Sequence, residues 1–217
     1  MTIKVAYFQP IVVAIDDIPP IMFSKIYNLA EALHGHPELA TINDAGNPLI
    51  SVRGGQQIHV YPNNLDLDVS WLVEYLEKVC LGYMELITAQ SNTEELKYCK
   101  PVITSIWTIR QWQDQYQEMH SHPGGNISGN MYIDVPDFDP EGNPSDGQVL
   151  FRLPNSKDVT KFVMTDTWKY SAKSGTLIVF PSTLPHTVYP WKGTGYRTVM
   201  AFDAILRPKD ELLPSNE

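Results

Sequence analysis

A chain of 217 residues, 43% of them hydrophobic, is long enough for one globular domain with a sizeable core and too apolar for a disordered protein. Its formal net charge of −9 argues against nucleic acid as a partner, because phosphate binding requires clustered lysine and arginine. The two cysteines, Cys80 and Cys99, are too few for a disulfide framework and lack a C-x-x-C spacing. We therefore expect free thiols in a reducing cytoplasm.

The beginning of the chain has no features of a targeting segment. The first residues, MTIKVAYFQP, contain no long apolar run, and nowhere does the sequence approach the roughly 18 consecutive apolar residues of a membrane span. We expect neither a signal peptide nor a membrane partner.

Residues 2–15 are rich in Val, Ile, Tyr and Phe and predict a β-strand. Asp-Asp and Pro-Pro pairs follow, and they predict a turn and the start of a helix that continues to about Leu33. His34 and His36 come at the end of this helix, where the helix dipole favours cations. We interpret this His-x-His pair as structural rather than metal-binding.

Two further elements are predicted before Pro101. Residues 49–61, around a Gly-Gly turn, indicate a small hairpin. Residues 68–89 predict the clearest helix, which Asp68 or Ser70 could cap. Its apolar side chains recur at helical spacing and indicate core packing: Leu72, Tyr75, Leu76, Val79, Cys80, Tyr83 and Ile87.

The character of the chain changes at Pro101, where short segments rich in β-branched and aromatic residues begin to alternate with turn residues. Eight such segments in about 105 residues predict a closed or double-sheet β architecture such as a jelly roll. We expect one domain, 1–217, in which 1–100 supply a strand and a helical cover, and 101–206 form the jelly roll. The predicted strands are 102–113, 115–122, 127–135, 147–153, 159–168, 175–180, 186–190 and 195–206.

Two histidines one residue apart, His120 and His122, are the strongest functional signal in this β region. On a strand, side chains at i and i+2 point to the same face with their roots about 7 Å apart, so two imidazoles can bind one cation. Neutral imidazole suits Fe, Zn, Cu and Ni. His186 comes from another predicted strand, and a third ligand from a distant strand could complete a facial site. We predict that these three histidines bind one metal ion, preferably iron.

A carboxylate ligand is missing from this set. Glu118 lies on the same predicted face, but on a straight strand it would be about 13 Å from His122, which is too far to share one ion. Asp134 also faces inward in the predicted strand, at a longer separation in sequence. We prefer the three histidines, and leave open whether Glu118 or Asp134 joins them.

Further polar residues fall on predicted strands near the histidines. Arg197 follows His186 by eleven residues, and a buried arginine there would need an anionic partner such as a dicarboxylic cosubstrate. Ser128, Asn130 and Tyr132 form a polar face where a core face should be apolar, so they could line the pocket. The alternatives are a solvent-facing arginine and a solvent-facing strand surface.

The sequence resembles a family of 2-oxoglutarate–Fe(II) oxygenases of bacteria and phages. The matching segments are SIWTIRQW, HSHPGGNISGNMYIDVP, DGQVLFRLP and SGTLIVFPSTLPHTVYPWKGTGYRTVMAF, with a further similarity at AYFQPIVVAIDDI. The most specific part is F-P-S-x-L-P-H with an arginine eleven residues after the histidine. This resemblance covers much of 1–15 and most of 102–205.

The resemblance implies a mainly β fold with flanking helices, a double-stranded β-helix (jelly roll, cupin-like). His120, His122 and His186 fall on metal positions, and Arg197 on the position that binds the distal carboxylate of 2-oxoglutarate. Tyr132 and Ser128 fall on pocket positions. In the wider superfamily the motif is usually H-x-D or H-x-E, whereas here His122 stands at the position of the carboxylate.

The resemblance therefore implies an oxygenase that uses Fe(II), 2-oxoglutarate and O2 to hydroxylate an unidentified substrate, with a protein side chain such as proline as one candidate. Two other classes stay open. One is a three-histidine, cupin-like metalloenzyme that does not use 2-oxoglutarate, and the other is a non-catalytic barrel that binds a metal or a carboxylate. With any of these functions, the protein could form a homodimer.

Overall fold

The computed structural model describes residues 11–40, 52–62, 67–91, 94–138, 142–152 and 167–210. Most of the predicted first strand and part of the predicted strand 159–168 lie outside this set, as does the C-terminal tail.

Within these residues, the fold contains two helices and eleven strands. The helices are α1 (Pro20–His34) and α2 (Ser70–Ser91), and short 3-10 turns cover Pro37–Leu39 and Glu94–Tyr98. The strands in chain order are β1 (Ala14–Asp17), β2 (Val52–Arg53), β3 (Gln56–Tyr61), β4 (Cys99–Trp112), β5 (Tyr116–His120), β6 (Ile127–Asp134), β7 (Val149–Arg152), β8 (Thr167–Tyr170), β9 (Thr176–Pro181), β10 (His186–Val188) and β11 (Tyr196–Pro208).

The strands form two antiparallel sheets. The major sheet has six strands in the order β1-β9-β6-β11-β4-β3, and the minor sheet has five in the order β2-β5-β10-β7-β8. Chain neighbours such as β9 and β10 lie in different sheets, which is the crossing pattern of a double-stranded β-helix. The predicted fold class is confirmed.

The major sheet is covered on both faces, and period-2 alternation decides which side chains go where. In β6, Met131 and Ile133 pack towards the helices, whereas Tyr132 points between the sheets. β9 shows the same alternation, with Leu177 and Val179 on the helix side. Burial on both faces explains why TLIVF reads as a continuous apolar run instead of an alternating one.

The helices cover the outer face of the major sheet. The predicted stripe of α2 lies in this layer, with Leu72, Leu76 and Cys80 fully buried. Asp68 caps α2, because its carboxylate accepts a hydrogen bond of 3.0 Å from the backbone N–H of Ser70. The predicted helices at the N-terminus and at 68–89 are confirmed.

One local expectation is wrong, and another holds for a different reason. The predicted hairpin at 49–61 does not form from its described strands, because β2 pairs with β5 and β3 pairs with β4, in different sheets. His34 has a structural role, as predicted, but not as a cation at the helix end. It is 7% exposed and hydrogen-bonded to Gln56 and Thr108, and burial together with the nearby Arg110 lowers its pKa to about 4.

Both cysteines are free thiols. Neither α1, α2 nor any other helix in the described part of the chain combines the length and apolarity needed to cross a bilayer.

Candidate active site

Three histidines meet between the two sheets. His186 of β10 lies directly opposite His120 of β5 in an antiparallel pair, which places their rings 4.2 Å apart, centre to centre. The ring of His122 lies 5.1 Å from that of His120 and 5.3 Å from that of His186. One potential ligand nitrogen from each ring falls within 4.8 Å of the other two.

His122 reaches this cluster by a different route from the predicted one. β5 ends at His120, so His122 lies in the turn that follows instead of on the strand. Its backbone N–H donates to Ser182 O at 2.7 Å, and its carbonyl accepts from Gly125 across the Pro-Gly turn. The His-x-His spacing therefore correctly predicts convergence, but a fixed turn produces it rather than a straight strand.

Hydrogen bonds orient each ring so that Nε2 is left for the centre of the cluster. Nδ1 of His120 donates to Glu118 O at 2.7 Å, and Nδ1 of His186 donates to Leu184 O at 3.0 Å, since a carbonyl can only accept. Nε2 of each ring then carries a lone pair. Burial lowers the pKa of His120 to about 4 and that of His186 to about 3, so both are neutral at pH 7 and able to bind a metal.

The geometry suits one divalent cation. Three imidazole nitrogens on a single ion at about 2.1 Å would lie about 3 Å apart, which small ring rotations can reach from the observed spacing. Nε2 of His122 is buried and has no hydrogen-bond partner, a costly arrangement that a bound cation would relieve. The donor set, three imidazole nitrogens, fits Fe(II) among other transition metals.

The two carboxylates considered from the sequence lie outside this cluster. Within the described residues, the only group of metal-ligating side chains consists of the three histidines, without Glu118 or Asp134. Asp134 is half-buried near Glu31 and Arg110, where burial and then the charge of Glu31 raise its pKa.

The structure does supply a carboxylate, at Asp203 of β11. One oxygen of Asp203 accepts a hydrogen bond of 2.9 Å from Nδ1 of His122, and the other accepts one from the Ser128 hydroxyl. Sequence reasoning missed it. The available signal was an acidic residue within the apolar strand VMAFDAIL, at an even spacing from Arg197 and hence on the same face.

Arg197 lies inside the same cavity as the histidines. It is 2% exposed, and its guanidinium donates to Gln111 Oε1 at 2.6 Å and to Gly147 O at 3.3 Å. The guanidinium carbon of Arg197 lies 4.7 Å from the centre of the Trp191 ring. No described carboxylate forms an ion pair with it, and burial lowers its pKa to about 10. Such a cation favours an anionic ligand.

Of the three residues expected on the polar face of β6, two line the cavity. Tyr132 is fully buried beside Arg197, and its hydroxyl has no hydrogen-bond partner. Burial raises its pKa to about 12, so it remains a neutral donor. Asn130 also lines the cavity, whereas the hydroxyl of Ser128 is bound to Asp203.

Three lining residues were not singled out from the sequence. Gln111 holds Arg197, and the side-chain amide of Gln117 lies 3.1 Å from Nε2 of His120. Trp107 stacks on His122 with ring centres 5.5 Å apart. Nothing in local composition separates these residues from ordinary strand residues; only the pairing of the strands brings them to the cavity.

Between the two sheets of a double-stranded β-helix, this chain thus combines a three-histidine cluster with a buried arginine. The chemistry of these side chains suits a metal ion and a carboxylate ligand. Residues 105–203 match the family model described as Putative 2OG-Fe(II) oxygenase, a segment that contains every residue of the cluster and Arg197. This match covers the β core and supports a dioxygenase that uses Fe(II), 2-oxoglutarate and O2.

Solved structures with the same fold include several prolyl hydroxylases. A prolyl-4-hydroxylase from Pseudomonas putida is 14% identical, with a TM-score of 0.58 over 88% of this chain and 91% of that one. A Trichoplax adhaerens prolyl hydroxylase in complex with a hypoxia-inducible-factor peptide fragment is 14% identical, with a TM-score of 0.59 over 94% and 87%.

A viral collagen prolyl hydroxylase from Paramecium bursaria Chlorella virus-1, in complex with 2-oxoglutarate, is 15% identical, with a TM-score of 0.51 over 88% and 94%. At these identities the likeness concerns the fold. No curated protein matches the sequence.

Proposed function

We propose that His120, His122 and His186 bind Fe(II), and that Arg197 and Tyr132 bind the distal carboxylate of 2-oxoglutarate. The observation that carries this assignment is the buried guanidinium of Arg197, which has no carboxylate partner among the described residues and shares a cavity with the three histidines. Arginine with a tyrosine hydroxyl beside it presents donors to both oxygens of a carboxylate.

The chain contributes ligands, orientation and a dry pocket. The Nε2 atoms of the three histidines would hold the metal. When bound, Fe(II) and 2-oxoglutarate would supply the chemistry that activates O2, with one oxygen atom going to succinate, which forms from 2-oxoglutarate with release of CO2, and the other to the substrate. The apolar side chains of Trp107, Ile109 and Val188 line the same cavity and exclude water from it.

For Asn130, which lines the cavity with its amide, we propose a hydrogen bond to the cosubstrate or the substrate. Ser128 has a different proposed task, since its hydroxyl is bound to Asp203. It acts on the metal site through that carboxylate and not by contact with 2-oxoglutarate.

The proposed substrate is a side chain of a protein, with proline as the first candidate. The support is the shared fold with prolyl hydroxylases, one of them in complex with a peptide. A proline-containing peptide library offered to the Fe(II)-loaded enzyme, with mass spectrometry for a gain of one oxygen atom, tests this choice. The expected homodimer and cytoplasmic location remain predictions, and light scattering of the purified protein tests the former.

Replacement of His186 by alanine tests the metal assignment. The variant removes one of three ligands, so we expect loss of iron binding and of iron-dependent succinate formation. His36→Ala is a matched control, because His36 is exposed just beyond the end of α1, where it pairs with Glu38. It should retain both properties.

Succinate formation at the wild-type rate by His186→Ala would contradict the assignment. A wild-type protein that binds iron but gives no succinate, and whose iron affinity is indifferent to 2-oxoglutarate, would instead favour the three-histidine enzyme that does not use this cosubstrate. Binding of both ligands without O2 consumption would favour the non-catalytic barrel.

A further inference from the structure

The three histidines are not held in equivalent ways. His120 and His186 donate their Nδ1–H to the neutral backbone carbonyls of Glu118 and Leu184. His122 alone has a carboxylate at this position, that of Asp203. In the described part of the chain, no other charged side chain is hydrogen-bonded to any of the three rings.

Asp203 is built into the site rather than placed on its surface. It lies on the long strand β11, between β4 and β6, at a point where the register with β4 shifts. Its side chain is 17% exposed and that of His122 is 15% exposed. A carboxylate this buried requires partners, and both oxygens have one, His122 on one side and Ser128 on the other.

This pairing determines which nitrogen of His122 can bind a metal. A carboxylate can only accept, so Nδ1 of His122 carries a proton, and in the neutral ring that binds a metal the lone pair is on Nε2. That Nε2 is the buried, unpartnered atom that faces the other two histidines. Trp107 stacks on the ring and limits its rotation.

The pairing also places a negative charge next to a metal shell that has none of its own. Three neutral imidazoles leave the full charge of a divalent cation uncompensated, and a carboxylate bound to a ligand histidine increases the basicity of that ligand. The H-x-H motif has no carboxylate in direct contact with the cluster, and Asp203 supplies one through His122.

We propose that Asp203 is a positioning residue of the metal centre, which fixes the tautomer of His122 and contributes the negative charge that the three ligands lack. Ser128 supports it by holding the second carboxylate oxygen. This inference rests on the proposed function insofar as the three histidines are the metal ligands, but it does not depend on 2-oxoglutarate turnover.

The test is the affinity of the protein for Co(II), a probe of Fe(II) sites, measured by anaerobic calorimetric titration and by the visible absorption of bound Co(II). Outer carboxylates of this kind typically contribute 10- to 100-fold in metal affinity. We expect Asp203→Asn, which keeps the shape but removes the charge, to weaken Co(II) binding by about that factor. Ser128→Ala should weaken it less.

Asp134→Asn is the matched control. It removes a half-buried carboxylate from an inner strand of the same sheet, outside the histidine cluster, and should leave Co(II) affinity unchanged. Thermal unfolding of the metal-free variants separates the proposed role from a structural one, since the expected loss is in metal affinity at a similar melting temperature.

Wild-type Co(II) affinity in Asp203→Asn would overturn the proposal. If that variant does not fold, the tautomer of His122 in the wild-type protein decides, read from its ring nitrogen shifts by NMR; a proton on Nε2 instead of Nδ1 would contradict it. The two proposals fail separately. Weaker metal binding in Asp203→Asn together with no succinate from the wild type would retain this inference and reject the oxygenase assignment of the site.

Discussion

Two arginines on adjacent strands, Arg110 of β4 and Arg197 of β11, are almost equally buried, with 7% and 2% of their surface exposed. They face opposite sides of the same sheet. Arg110 points to the helices, where it forms an ion pair with Glu31 of α1 and donates to the Thr198 hydroxyl at 2.9 Å. Arg197 points between the sheets, where its hydrogen-bond partners among the described residues are neutral, Gln111 and Gly147.

Both guanidiniums also lie over an aromatic ring, Tyr196 for Arg110 and Trp191 for Arg197. The surroundings therefore differ mainly in one carboxylate. A buried cation with its own carboxylate stabilises the fold, whereas one without it is available to an anionic ligand. Arg110 therefore attaches α1 to the sheet, and this contrast supports the proposal that Arg197 binds a cosubstrate.

The largest expected effect concerns Arg197. Arg197→Met should weaken 2-oxoglutarate binding by about 30-fold to several thousand-fold, because removing one partner of a buried charge pair costs about 2–5 kcal/mol. Anaerobic titration of 2-oxoglutarate into the metal-loaded variant measures this. Arg110→Met is the matched control, and an equal loss of affinity in both variants would abolish the distinction between the two arginines.

The next effect concerns Arg110 and stability. Arg110→Met removes the ion pair to a partly exposed Glu31, so we expect a loss of about 1–3 kcal/mol in the free energy of unfolding of the metal-free protein. Arg197→Met should cost less, since the cation it removes has no ionic partner. Urea unfolding of both variants compares them, and a larger loss for Arg197→Met would reverse the assignment.

A smaller effect should follow from Tyr132→Phe. In the proposed assignment, the Tyr132 hydroxyl, which is unpartnered among the described residues, donates to the carboxylate of bound 2-oxoglutarate, so its loss should weaken that binding by about 2- to 10-fold. The stability of the metal-free protein should not fall, because no hydrogen bond is lost. A marked loss of stability with unchanged affinity would show that the hydroxyl is structural.

The smallest expected effect is a change in the pKa of His34. Burial, and then the charge of Arg110, lowers the pKa of His34 to about 4. Because the unfolded value is near 6.5, the unfolded state binds more protons between these values, and His34 reduces stability as the pH falls from about 6.5 to 4. Arg110→Met should raise the pKa of His34, as followed by NMR titration. An unchanged pKa would mean that the arginine charge does not reach His34.

The sequence predicted the site best where its chemistry is concentrated in rare residues. His120, His122, His186 and Arg197 were selected because few residue types bind metals or carboxylates, and the structure brings all four to one cavity. The helix at 68–89 was found because its apolar stripe is long. Each of these signals is local in the chain.

The features that the sequence could not predict depend on pairing between distant strands. Asp203 reaches His122 across 81 positions, and Gln111 reaches Arg197 across 86. β2 and β3 resemble a hairpin locally but enter different sheets. His34 appears solvated at a helix end and is instead buried against β4 by its hydrogen bond to Thr108. Such contacts follow from topology, which one sequence does not specify residue by residue.

The most direct test of the account is an anaerobic addition of Fe(II) and 2-oxoglutarate to the wild-type protein and to Arg197→Met, with the visible spectrum recorded. Chelation of iron by the keto acid at the three histidines predicts a charge-transfer band for the wild type at 2-oxoglutarate concentrations at which the variant shows none. The band should return in the variant at much higher 2-oxoglutarate. A wild-type protein that binds Fe(II) but develops no band would contradict the assignment of Arg197 and the histidines to an iron–2-oxoglutarate site.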